Sequence, residues 1–149
     1  MDFLTLEDAL FKIALFGFYV KDPGLLDSAL SRPKTTVFGE FAYQSIEMMA
    51  AAMHQSLVKN HPLVDGNKRT SWMLLNTFLE LNGYSLVMTA DEGMDFTLGV
   101  AESRYDLEAS AKIIKEHLIT PTEVAQVRIA RIENFLERPM SIQEQKRVI

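Results

Sequence analysis

Apolar side chains recur along this chain at helical rather than strand spacing. Between Ser45 and Lys59, the residues Ile46, Met49, Ala50, Met53 and Leu57 fall on one face by the i, i+3, i+4, i+7 rule. Gly66 to Asn82 repeats the pattern with Trp72, Leu75, Phe78 and Leu79, and Asn82-Gly83 supplies a stop signal. Thr5 followed by Asp8 is a capping-box-like start for a helix over Leu6 to Val20. Asp22-Pro23-Gly24 turns the chain, and Leu25 to Ser31 reads as a short helix stopped before Pro33. Further helices are predicted from Asp91 to about Glu102 and from Asp106 to about Leu118. Pro121 stands where a first-turn proline belongs, opening a last helix that runs to Arg138, before Pro139. That helix aligns Ala125, Ile129, Ile132 and Leu136 on one side, with Phe135 widening the stripe. Two stretches break the helical period. Lys34 to Tyr43 reads as a loop or small hairpin, and Tyr84 to Met88 as a short extended piece. Met140 to Ile149 is a polar tail, expected to fray. The pattern predicts a mainly α, single-domain helical bundle with a small β-hairpin.

Length and charge narrow the function classes. At 149 residues the chain holds one domain with a real core. A net charge of −5 argues against a general nucleic-acid surface, which needs a basic face. With no cysteine there is neither a disulfide scaffold nor a thiolate metal site. Acidic residues appear at once after Met1, unlike a signal peptide. The longest uncharged run, Met48 to Val58, is far short of the ~18 apolar residues a membrane span needs. A cytoplasmic protein is expected.

The chemistry concentrates in His61-Pro62-Leu63-Val64-Asp65-Gly66-Asn67-Lys68-Arg69, between the two central helices. Pro62 pushes His61 out of the α region, so the chain must turn before it enters the next helix. The first N–H groups of that helix lack intrahelical partners and carry the positive end of its dipole. Gly66 removes a side chain that would block an approaching phosphate, Asn67 adds an amide donor, and Lys68 and Arg69 add charge. Asp65 suits Mg²⁺, which takes one or two carboxylates and completes its shell with phosphate oxygens and water. His61 can accept a proton near pH 7. No Walker loop occurs in the chain.

This string resembles the signature of the Fic/Doc family, H-x-F-x-[D/E]-[G/A]-N-[G/K]-R. Asp22 to Pro33, His54 to Asn60 and Leu79 to Tyr84 resemble its Doc branch, and the likeness covers roughly Leu4 to Leu118. It implies a catalytic domain over residues 1–118; residues 119–149 fall outside the likeness and are expected to form a C-terminal helix and tail packed on or extending the same domain. It further implies His61 as general base toward a target hydroxyl and Asp65 as the Mg²⁺ ligand. Gly66, Asn67, Lys68 and Arg69 would bind the phosphates of ATP. Lys34 to Tyr43 resembles the family's flap, where Thr35, Thr36, Val37 and Phe38 would pin a target peptide by strand addition.

Members that transfer AMP usually carry Gly at the place of Lys68 and a second Arg at the place of Trp72. The Doc branch carries the Lys, lacks that Arg, and transfers phosphate. Its implied target is a threonine of translation elongation factor Tu, whose modification stops protein synthesis. Two features depart from this pattern: Leu63 replaces the usual Phe, and Gly66 matches the AMP-transfer branch. An AMP transferase and an inactive Fic-fold binding protein therefore stay open beside the phosphotransferase. Trp72 reads as a core residue rather than a base-stacking one, and His54 as part of the helix beneath the loop rather than a metal ligand. His117 is a helix-end residue. The restraining hexapeptide of some members, [S/T]-x-x-x-E-[G/N], is absent, so an antitoxin acting in trans is expected. The face of the last helix is open to that antitoxin, to a second copy, or to the domain's own core.

Overall fold

The fold is built around the helix that the clearest stripe predicts. In the computed structural model, which describes residues 1–137, α3 (Ile46–Asn60) buries Ile46, Met49, Ala50, Met53 and Leu57, as its spacing requires. Ser45 caps it, accepting a hydrogen bond from the Met48 amide. α1 (Leu6–Leu15) and α2 (Pro23–Ser31) precede it, and α4 (Asn67–Leu81), α5 (Ala90–Ala101), α6 (Leu107–Glu116) and α7 (Pro121–Glu137) follow. α3 packs against α2, α4, α5 and α6. On α4, Leu75, Phe78 and Leu79 are fully buried. Each such side chain contributes about 1.5–3 kcal/mol by leaving water. The observed fold is mainly α, as expected.

The stretch from 34 to 43 contains the hairpin. β1 (Thr36–Val37) pairs antiparallel with β2 (Glu40–Phe41). Phe38 and Gly39 make the turn with φ of 52° and 82°, the positive pair that a two-residue hairpin loop demands. A second ladder joins β3 (Ser85–Leu86) to β4 (Leu118–Ile119). The extended piece after Gly83 is as predicted; its partner Leu118 lies where the spacing predicts the end of a helix.

One expectation is corrected. The first helix stops at Leu15, not Val20, because Gly17 adopts φ 79°. The Gly17 amide donates to Ala14 O and the Phe18 amide to Ile13 O, a C-terminal cap that turns the chain away. α7 begins with a capping box, Thr120 with Glu123, yet buries no residue, so it does not cover the domain's own core. The stop before Pro139 and the tail Met140 to Ile149 lie outside the described residues. Among the described residues, no helix is long and apolar enough to cross a membrane.

Candidate active site

The loop between α3 and α4 is held from both sides. His61 ends α3 in the left-handed region (φ 49°, ψ 57°), out of the right-handed α region as Pro62 requires. Pro62 and Leu63 are buried. Leu63 does the anchoring expected of the family's Phe. The α1–α2 linker then runs beside the loop. Lys21 and Asp22 amides donate to Pro62 O at 2.9 and 3.1 Å, the Val64 amide donates to Tyr19 O at 3.0 Å, and Val20 bridges Leu63. Periodicity gave no sign of this linker, whose Phe18 is a site residue that sequence reasoning missed.

Asn67 closes the loop from within. Its Oδ1 accepts from the Leu63 amide at 2.9 Å and its Nδ2 donates to Leu63 O at 3.1 Å. Its side chain therefore braces the loop instead of pointing an amide at an anion, which corrects the expectation. Asp65 Oδ1 accepts from the Gly66 amide at 2.8 Å. Gly66 has φ 78°, and a Cβ there would stand 2.4 Å from the Phe18 ring. The glycine thus serves a left-handed backbone and an aromatic contact, a reason beyond clearing a path for phosphate.

The start of α4 is left uncapped. No side chain caps the start of α4, and its first internal bond is from the Thr70 amide to Gly66 O at 2.9 Å. The Asn67, Lys68 and Arg69 amides lie before that bond, at the positive end of the helix dipole. Lys68 and Arg69 are exposed, and neither joins an ion pair among the described residues. His61, Asp65, Gly66, Asn67, Lys68 and Arg69 line one cleft of about 440 Å³, together with Phe18, Val64 and Met94. The sequence-derived loop residues therefore converge. Thr35, Thr36, Val37 and Phe38 do not line this cleft. They form the hairpin, with Phe38 fully exposed at its tip.

The donor set fits Mg²⁺ in one way only. Among the described residues, no three His or acidic side chains cluster as a metal cage. Asp65 is exposed with one oxygen committed to Gly66, leaving a single carboxylate to share an ion with phosphate oxygens and water.

Beneath the loop, His54 is fully buried and burial lowers its pKa to about 3. Thr97 Oγ1 donates to Gly93 O at 2.8 Å and so accepts from His54 Nε2 at 3.1 Å. His54 does not line the cleft and packs as the helix beneath the loop. Trp72 packs on the core, its ring so close to Gly93 that a Cβ there would stand 2.3 Å away. His117 caps α6, with Nδ1 at 2.8 Å from Ile113 O.

Comparison with known proteins agrees with this geometry. The Fic/DOC family pattern matches residues 2–79, which include the whole loop. A protein named toxin Doc from Mycolicibacterium smegmatis is 44% identical over 115 residues, covering 74% of this chain and 88% of that protein. A helical fold, a loop braced between its central helices and more than half the chain matched make this chain a member of the Fic/DOC family.

Proposed function

We propose that the protein is a Doc-like toxin that transfers the terminal phosphate of ATP to a protein hydroxyl. The observation that carries this is the cleft itself: a histidine, a single carboxylate, two cations that join no ion pair among the described residues and uncapped amides line one space of about 440 Å³. Asn67, Lys68 and Arg69 amides and the two cations hold the phosphates. His61 takes the proton from the target hydroxyl. The hydroxyl oxygen then bonds to the γ-phosphorus, the bond to the bridging oxygen breaks, and ADP leaves. Asp65 would hold Mg²⁺, which would supply charge neutralisation on the phosphates. The hairpin offers its exposed edge to a target peptide.

The implied target is a threonine of elongation factor Tu, so translation stops. The relative's name supports toxin activity, and with no restraining hexapeptide in the chain the partner is an antitoxin in trans. AMP transfer is the second reading, favoured by Gly66; its contact with Phe18 gives that glycine a separate explanation. Trp72 at the place of the second Arg favours phosphate. Mass spectrometry of elongation factor Tu after incubation with the protein, ATP and Mg²⁺ decides. One added phosphate supports the proposal, one added nucleotide replaces it with the second reading, and no change removes this target.

A further inference from the structure

α7 carries an apolar face that the domain leaves in water. It buries no residue, and Val127, Ile129, Ile132, Phe135 and Leu136 are 45–74% exposed. It also lies beyond residues 2–79, where the family pattern ends. The helix is nonetheless well begun, by the Thr120–Glu123 capping box and a first-turn Pro121. Ala125, Ile129, Ile132 and Leu136 step along it by four, three and four residues. Those are the alternating a and d positions of a heptad, the narrow seam along which helices pair side by side. A helix lying on a globular core carries a wider stripe.

The charges beside the seam choose what covers it. With Ile129 at a and Ile132 at d, Arg128 takes the g position and Glu133 the e position of the next heptad. Five residues apart, they do not face each other on their own helix, where neighbours are three or four apart. Neither joins an ion pair among the described residues. In parallel, in-register helices, g faces the e of the following heptad, so Arg128 of each copy meets Glu133 of the other. Antiparallel helices that seal the same seam set Ile129 against Ile132 and Ala125 against Leu136. Arg128 then faces Phe135, Glu133 faces Gln126, and the ion pairs are lost. We propose that α7 is a self-association helix, its seam covered by α7 of a second copy of this chain lying parallel to it. Isoleucine at both a and d also admits a third strand, with the same Arg128–Glu133 pairing.

Sedimentation of the intact chain is expected to show monomer giving way to dimer or trimer at about 10–100 µM, the weak association that a 17-residue helix permits. Ile132 is 59% exposed, so Ile132→Glu spares the fold and is expected to leave monomer throughout. Arg128→Glu and Glu133→Arg should each weaken association about fivefold, and the double reversal should restore it to within about twofold. The chain has no cysteine, so Ala125→Cys gives one defined cross-link. Oxidation should join two copies through it, whereas antiparallel helices would hold the two thiols about 16 Å apart along the axis. Monomer up to about 500 µM overturns the proposal and leaves the seam to a different protein. Association that survives Ile132→Glu, a double reversal as weak as its parents, or Ala125→Cys that forms no cross-link overturns it too.

Discussion

The ring of Phe18 occupies the space that a Cβ on Gly66 would need, its nearest carbon 2.4 Å from that position. The α1–α2 linker is thereby packed onto the glycine that opens α4. Gly66→Ala meets two penalties, a left-handed backbone and a clash, together about 2–4 kcal/mol. Denaturant unfolding should show that loss. Phe18→Ala in the same chain should return the steric part only, and a double-mutant cycle with no coupling would contradict the contact.

Asn67 supplies both hydrogen bonds that close the loop on Leu63. Asn67→Ala should cost about 1–3 kcal/mol and lower transfer as well, since loop shape and anion site are one structure. Asn67→Asp keeps the acceptor for the Leu63 amide but sets an oxygen against Leu63 O. It should lose activity out of proportion to stability. Wild-type transfer rates in both variants would show that the brace is dispensable.

Arg32 ties the hairpin to the bundle. Its guanidinium donates to Tyr43 Oη, Ala52 O, Gln55 Oε1 and Ser56 Oγ at 2.8–3.1 Å, and Thr35 Oγ1 donates back to Arg32 O. A lysine cannot make that fork. In Arg32→Lys, hydrogen exchange at the Ala42 amide, bonded to Thr35 O, should rise about tenfold while exchange in α4 stays put. Unchanged exchange at Ala42 would mean the hairpin holds itself.

His54 makes stability depend on pH. Its folded pKa, about 3, lies below the ordinary value of 6.5, so between these values the unfolded chain binds the extra proton. Stability is therefore complete above about pH 6.5 and falls as pH drops, with this residue contributing up to about 1.4 kcal/mol per pH unit. His54→Gln should flatten the curve between pH 6.5 and 5 relative to wild type. Parallel curves would place the proton elsewhere.

The sequence revealed what is local. Thr5, Ser45 and Asp106 begin their helices as cap chemistry requires, and the five-residue stripe of α3 is buried throughout. That the loop residues would share one cleft was legible because they are consecutive. What escaped was long-range. Neither Val20 against Leu63 nor Phe18 against Gly66 leaves a periodic trace, and both depend on Gly17 ending α1 early. The pairing of Leu118 with Leu86 was hidden because Leu118 also continues the helical pattern that begins at Asp106. α7 shows the converse limit: a good apolar stripe does not reveal whether its own domain will cover it.

In the proposed reaction, His61 directs a hydroxyl onto the terminal phosphorus of ATP. Elongation factor Tu incubated with this protein and Mg²⁺, using ATP labelled in either the γ- or the α-phosphate, tests it most directly. The γ-label should transfer and the α-label should not. His61→Ala should slow transfer by about 10²–10⁴-fold with unfolding unchanged, because the side chain is exposed. Transfer of the α-label, or γ-transfer that survives loss of His61, would contradict it.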